Sequence, residues 1–195
     1  MENFLILKFD TPASDIGMIK RYLRDNGNSE QIDLLVKECI GLSRDSFDCR
    51  VCSAEFPVET HGDNVCLGDV TVKSKSLAEH LENCNKAVVF GATVGIGIDR
   101  LIMKYSSLSA VKALCLDAIG SEMIENVCDL FNQRINAEYQ STCSRFSPGY
   151  GDLPIEFQRE IFAILNLNKN LGVYLTEGMQ MTPSKSVTAI IGANK

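Results

Sequence analysis

The chain has no excess of positive charge, no long apolar run and only two histidines, and each shortage removes a class of function. Nineteen Lys and Arg against twenty-five Asp and Glu leave a formal net charge of −6 and a pI near 5.0. Proteins that hold nucleic acid neutralise phosphates with clustered Lys and Arg, and no basic stripe occurs here, which argues against a nucleic-acid partner. The longest apolar runs, such as residues 87 to 92, fall far short of the ~20 residues that span a bilayer. Met1-Glu2-Asn3-Phe4-Leu5 has no basic n-region, so no membrane association is expected and the cytoplasm is the expected compartment.

The eight cysteines come without a secretion signal, and several fall on apolar positions of helical patterns, so most read as reduced core residues. Cys49-Arg-Val-Cys52, with His61 and Cys66 further on, has the residue types of a tetrahedral zinc site. However, the alternation from Phe47 to Cys52 reads as a strand, which sends the two cysteines to opposite faces, and Arg-Val is a poor turn. A zinc protein is therefore only a third reading. His80 lies in a helical pattern with no ligand-spaced neighbour and reads as a partly exposed helix residue.

At 195 residues with 45% apolar content, the chain can bury a sizeable core, and it shows no internal repeat and no long linker. Residues 4 to 8 read as a short strand. Thr11 or Ser14 can then cap a helix to about Asp25, ended by Asn26-Gly27-Asn28, and Ser29 opens a second helix closed by Gly41. Residues 1–45 thus form a helical N-terminal part. Strands follow over Phe47–Val58, interrupted at Pro57, and over Asn64–Val72. Ser76 precedes a helix from Leu77 to Cys84, and Lys86–Thr93 is a buried strand. The glycines from Gly91 to Gly97 precede another helix and invite a phosphate-loop reading. Yet G-x-G-x-x-G fails at Arg100 and no G-K-S/T follows, so tight strand-to-helix packing is favoured.

Leu108 to about Tyr139 carries the strongest helical periodicity, with Leu108, Val111, Cys115, Ala118, Ile119, Met123, Val127, Leu130 and Phe131 on one face and a bend allowed at Gly120. Asp117, Glu122, Glu125 and Asp129 decorate the other faces; a solvated face is the ordinary explanation and a basic partner the alternative. Pro154 suits the start of a helix through Leu165, and strands are expected over Gly172–Glu177 and Ser186–Ile191 around a loop at 178–183. The order predicts one domain over 1–195 of the α+β class: a mixed, largely antiparallel sheet packed with long helices, the sheet and most helices over 47–192.

Between the last two helical patterns lies Arg145-Phe146-Ser147-Pro148-Gly149-Tyr150-Gly151-Asp152-Leu153-Pro154. Pro148 fixes its own φ and pushes Ser147 toward extended geometry, while Gly149 and Gly151 permit positive φ on either side of Tyr150. Arg145 and Tyr150 then present a guanidinium and an aromatic ring a few residues apart, suited to a carboxylate and a flat heterocycle. A structural turn with a surface Arg and a half-buried Tyr is the local alternative.

Arg145-x-Ser-Pro-Gly149-Tyr150, followed by Pro154, Ile161-Phe162, Gly172-Val-x-Leu-Thr-Glu177, Met181-x-Pro183 and Ser186-Val-Thr, resembles the activation domain of cobalamin-dependent methionine synthase. Upstream, Ser76-Leu77 through Cys84, Phe90-x-Ala-Thr93-x-Gly95 and Leu116-Asp-Ala-Ile-Gly-Ser121 are similar to the same family, so the likeness covers roughly residues 75 to 192. The first 70 residues match it only in general character. The resemblance implies binding of S-adenosylmethionine and its presentation to a corrinoid whose cobalt has slipped to Co(II). One electron, from flavodoxin or another reductase, restores Co(I), which takes the sulfonium methyl group. Arg145 would pair with the methionyl carboxylate, the backbone around Ser147 and Gly149 would meet adenine or ribose, and Tyr150 completes the motif.

Two positions depart from the family pattern, and an acidic residue that the family contributes near its N-terminus has no matching position in this sequence. Tyr150-Gly151-Asp152-Leu153-Pro154 stands where the family carries Tyr-Pro-x-Cys-Pro, and the family's Tyr after its S-V-S-G strand falls at Ile191. The chain contains no D-x-H-x-x-G. The expectation is a free-standing activation protein acting on cobalamin carried by a separate methyltransferase, a methionine synthase lacking its own activation domain. The alternative is a non-catalytic docking protein for a corrinoid methyltransferase that has lost ligand binding.

Overall fold

The computed structural model describes residues 4–25 and 29–194. The helix end expected at Asn26-Gly27-Asn28 lies outside the described residues. At the centre is β5 (Lys86–Thr93), apolar along most of its length and buried from Ala87 to Thr93. It pairs antiparallel with β2 (Arg50–His61) on one side and β9 (Ser186–Asn194) on the other. Beyond β2 come β3 (Asn64–Leu67), β4 (Val70–Lys73) and β1 (Leu5–Lys8); beyond β9 comes the two-residue β6 (Ser141–Thr142).

The period-two alternation of side chains feeds two cores, one on each face of the sheet. Val88, Phe90 and Ala92 of β5 enter the first, with Val51 of β2 and Ala189 and Ile191 of β9. That face is covered by α1 (Ile16–Tyr22), α2 (Glu30–Ser43), α4 (Gly97–Leu108) and the 29-residue α5 (Ala110–Glu138). Ala87, Val89 and Ile190 enter the second core, under α3 (Lys75–His80), α6 (Gln158–Leu165), α7 (Leu167–Asn170) and a hairpin of β7 (Tyr174–Leu175) with β8 (Met181–Thr182). Mixed helices around an antiparallel sheet are the expected fold class.

Local boundaries differ where a cap or turn residue was misassigned. Asp15, not Thr11 or Ser14, caps α1 by accepting from the Gly17 and Met18 amides, and α1 ends at Tyr22. Gly41 does not close α2, which continues to Ser43. Pro57 does not interrupt β2; it sits opposite Lys86 where the strand hands its pairing from β5 to β3. The segment 64–72 is two strands, folded at Gly68. Ser74, not Ser76, caps α3. On α5 the core is built from Cys115, Leu116, Ala118, Ile119, Met123, Val127 and Phe131, whereas Leu108 and Val111 remain 68% and 62% exposed. These two sit at the junction with α4, before α5 reaches the sheet.

The turn from Ser147 to Leu153 closes on itself and is then fastened to α3. Tyr150 N–H donates to the Ser147 carbonyl at 3.0 Å, Leu153 N–H to the Tyr150 carbonyl at 3.0 Å, and Gly149 N–H to the Leu153 carbonyl at 2.9 Å. Gly149 and Gly151 have φ of +93° and +54°, the left-handed geometry that side chains disfavour. A Cβ on Gly151 would also lie 2.5 Å from the Ser76 hydroxyl, so only glycine lets the turn approach α3 this closely. Asp152 completes the junction. Its carboxylate accepts from Ser74 Oγ at 2.6 Å and from the Lys75 and Ser76 amides at 2.9 and 3.0 Å, donors that a helix start leaves otherwise unused. The Ser74 hydroxyl and then the two amides hold this carboxyl well below the usual carboxylate range.

Two predictions follow from this packing. Phe131 is fully buried with its ring centroid 4.8 Å from that of Phe90, so Phe131→Ala should cost about 3–5 kcal/mol in denaturant unfolding, while Val111→Ala should change stability by less than about 0.5 kcal/mol. Equal losses at the two sites would contradict the packing. Asp152→Ala should lower the Tm at neutral pH. Because the folded-state pKa is depressed, that contribution is complete above the unfolded value near 4 and is lost as pH falls below it. The Tm gap between wild type and variant should thus hold steady above about pH 5 and narrow in acid.

Candidate functional site

After β6 the chain runs back along the outer edge of β9. Cys143 N–H donates to the Gly192 carbonyl at 2.9 Å, and Phe146 and Ile190 exchange a reciprocal pair at 2.9 and 2.8 Å. Pro148 then turns the chain away, and β9 continues toward Ser186 with that edge unpaired among the described residues. Since Ile190 and Gly192 direct their backbone groups to this edge, antiparallel alternation sends the N–H and C=O of Thr188 the same way. A cleft of about 240 Å³ opens there. Arg145, Ser147, Pro148 and Tyr150 line it from the turn, Glu125 from α5, Gln158 from the start of α6, Met181 from β8, and Ser186, Val187 and Thr188 from β9.

Arg145 reaches across the cleft to α5, where its Nη2 lies 3.0 Å from both Glu125 Oε2 and Asp129 Oδ1. The two acids expected on a solvated face are one turn apart and share this guanidinium. Of the other two, Asp117 pairs with Lys185 at 2.7 Å. Glu122 is buried, accepts from the Asp15 amide at 2.7 Å and from the Asn126 amide, and has its pKa raised by burial. The solvated-face expectation holds for Asp117 and Asp129, which are exposed, and in part for Glu125; it fails at Glu122, which is buried where α5 packs on α1.

Three buried polar atoms on the cleft have no partner among the described residues: Arg145 Nη1, the Gln158 amide oxygen and Thr188 Oγ1. Gln158 is 6% exposed and Thr188 3%, so neither side chain is simply turned to bulk water. A buried polar group left unmatched costs about 1–3 kcal/mol, and all three side chains belong to residues that line this one cleft. Ser147 N–H and the Gly149 carbonyl are likewise without a partner among the described residues, whereas Gly149 N–H is spent within the turn. Tyr150 is 57% exposed rather than half-buried, and its ring meets the edge of Phe146 at 5.9 Å between centroids. Phe146 in turn packs on His80, whose Nε2 donates to the Ser144 carbonyl at 2.8 Å.

Arg145, Ser147 and Tyr150 therefore come together in one cleft, with Gly149 shaping the turn behind them. Glu125, Gln158 and Thr188 were not identified in advance. The available signals were the i, i+4 spacing of Glu125 and Asp129 and the Ser186-Val-Thr run, neither of which names a partner. The proposed zinc ligands do not converge: Cys49, just before β2, belongs to one core and Cys52 to the other, on opposite faces of the sheet, and His61 is exposed at the far end of β2. Gly97 serves packing as expected, since a Cβ there would lie 2.2 Å from the Ser46 carbonyl oxygen.

Residues 55–195 match the family model described as vitamin B12 dependent methionine synthase, activation domain. Among solved structures, the chain is similar to the MetH reactivation domain bound to AdoHcy, with a TM-score of 0.71 and 15% identity. The match covers 99% of this chain and 79% of that one, and at this identity the likeness speaks for the fold. No curated protein sequence matches the chain. Among the described residues, no helix is long and apolar enough to cross a membrane. With the matched region covering most of the chain, from within β2 through β9, and every residue that lines the cleft, the chain belongs to the activation-domain family of vitamin B12-dependent methionine synthase.

Proposed function

We propose that the chain binds S-adenosylmethionine in the Arg145 cleft and presents its methyl group to a cobalamin held outside these residues, supporting reductive reactivation of a cobalamin-dependent methyltransferase. The observation that carries this reading is the set of three unmatched buried polar atoms on a cleft lined by the family motif. Arg145 Nη1 takes the methionyl carboxylate, while the Gln158 amide oxygen and Thr188 Oγ1 accept from the α-ammonium or a ribose hydroxyl. Ser147 N–H and the Gly149 carbonyl face the nucleoside, and Tyr150, braced by Phe146, offers its ring to the adenine.

The methyl group of S-adenosylmethionine sits on a sulfonium, which leaves without help from an acid or base. What the chain must supply is binding and orientation. Holding the ligand by a fork and an open strand edge, with one side of the cleft unobstructed, leaves the sulfonium approachable by a second macromolecule. Electrons for the cobalt come from a separate reductase, for which a flavodoxin is the expected kind.

Neither departure from the family pattern removes a lining residue. Ile191 is buried at 1% exposure and packs in the core beneath α5, so its side chain lies away from the cleft. Gly151 and Asp152 fasten the turn to α3. Both observations favour ligand binding over a docking protein that has lost its site.

Calorimetric titration tests the reading. Wild type should bind S-adenosylmethionine, and Arg145→Ala should weaken binding by roughly 10- to 100-fold, the equivalent of one charge-assisted hydrogen-bond pair. Thr188→Val should weaken it less, by about threefold to tenfold. Absence of heat at millimolar ligand, or unchanged affinity in Arg145→Ala, would overturn the assignment.

A further inference from the structure

We infer that Cys84 and Cys143 form a thiol pair that closes reversibly to a disulfide, stitching the chain after α3 to the segment that leads into the Arg145 turn. The two sulfurs meet over one backbone position of β9. A Cβ on Gly192 would lie 2.5 Å from Cys84 Sγ and 2.8 Å from Cys143 Sγ, so only a glycine leaves room for both sulfurs there. The two thiols also interact directly with each other. Gly192 fixes Cys143 from both sides, accepting from its N–H at 2.9 Å and donating its own N–H to Cys143 Sγ at 3.0 Å. The other thiols are placed differently. Cys39 and Cys115 interact as well, but both are fully buried between α2 and α5, out of reach of a solvent-borne oxidant. Cys49, Cys52 and Cys128 are buried, and Cys66 is partly exposed with Thr71 Oγ1 beside it at 3.3 Å. Cys84 and Cys143 combine a thiol neighbour with partial exposure.

The pair lies at one end of a seam. Ser76, His80 and Cys84 recur at four-residue steps and back successive points of the segment that carries Arg145 and Tyr150. Ser76 lies against Gly151, His80 bonds the Ser144 carbonyl and packs on Phe146, and Cys84 meets Cys143. Asp152 pins the far end of this seam to the start of α3. A disulfide two residues before Arg145 pins the near end covalently, so the state of the surrounding thiol pool sets how firmly the segment is held. The co-reactant is a small-molecule disulfide. One cysteine thiolate attacks it, the S–S bonding pair leaves with the expelled thiolate, which takes up a proton, and a mixed disulfide remains. The second cysteine thiolate then attacks the protein sulfur of that mixed disulfide and expels the other small thiol. The two cysteines lose two electrons and two protons in all, and the small disulfide is reduced to two thiols. Burial raises the pKa of both thiols, that of Cys143 to about 11, so thiolate is scarce at neutral pH and closure speeds up as pH rises.

Incubation of the native protein with oxidised glutathione, followed by alkylation, digestion and mass spectrometry, tests the inference. One cross-link should form, between the peptides that hold Cys84 and Cys143, and dithiothreitol should reverse it. Its initial rate should rise about tenfold per pH unit between about pH 7 and 9, tracking the thiolate fraction. Because the bond closes a loop of about 60 residues, the Tm should rise by roughly 5–10 °C. Amide exchange across residues 141–146 should slow with it. In Cys84→Ser and in Cys143→Ser the Tm rise should vanish, and the remaining thiol should end as a glutathione adduct. A cross-link at another pair, one that forms only in denaturant, unchanged exchange across 141–146, or the same Tm rise in either variant would overturn the inference. Retention of both free thiols under oxidised glutathione at about pH 9 would overturn it as well. None of these readouts involves the proposed ligand, so the two readings stand or fall separately.

Discussion

The functional end of this molecule depends on a guanidinium that is half engaged. Arg145 Nη2 is held by two carboxylates from α5, and this fixes the start of the turn against the long helix across the edge of the sheet. Nη1 is buried with no oxygen or nitrogen partner among the described residues, and the guanidinium also interacts with the buried Cys128 thiol. An arginine satisfied on both nitrogens would be a structural clasp, and one satisfied on neither would be mobile. With one side anchored, the planar fork is preorganised and keeps its remaining donor for a carboxylate, so little rotamer entropy is lost when a ligand arrives.

Everything else around the cleft serves to keep that donor and the open strand edge in place. The segment from Cys143 to Phe146 closes β9 only as far as Ile190, and Pro148 diverts the chain before it can seal Thr188. An unpaired strand edge is ordinarily a liability. Here it is short, recessed between the turn and β8, and bordered by the charged Glu125 and Arg145. Asp152 and Gly151 then tie the far end of the turn to the start of α3, so both ends are fixed to different elements. The loop is irregular in backbone but not loosely held.

Much of the fold was legible because its signals are periodic. β5 was delimited to the residue, since a continuous apolar run flanked by a lysine and a glycine-rich turn has few alternatives. The long α5 was recognisable from its repeat, and the turn from proline and glycine chemistry. What failed was information that lives in the third dimension. Leu108 and Val111 continue the apolar repeat of α5 yet face outward, because periodicity says which side of a helix is apolar and not how far the sheet extends beneath it. Glu122 looked like a solvent-facing charge, and Glu125 and Asp129 showed no partner, because Asp15 and Arg145 are respectively 107 and about 20 residues away in the chain. Thr188 could be identified as part of a strand but not as lying on its unpaired edge. Which edge of β9 is covered depends on how far the segment from Ser141 to Phe146 pairs with it.

The two departures from the family pattern carry different weight once their positions are known. Ile191 looked like a lost aromatic contact, but alternation along β9 sends its side chain into the core that also receives Ala189, on the face opposite Ile190, and it does not line the cleft. The change at residues 151 and 152 lies at the junction of the turn with α3. There, a left-handed glycine makes room and an aspartate supplies the acceptor that the helix start requires. A rigid turn can be reached by a proline that restricts the backbone or by a side chain that anchors it, and this chain uses the second route at that position. The physical requirement is that Arg145 and Tyr150 be held at a fixed separation beside an open strand edge, which several local sequences can meet. Identity of residues within the turn is therefore a weaker guide to a working site than the buried polar atoms left facing it.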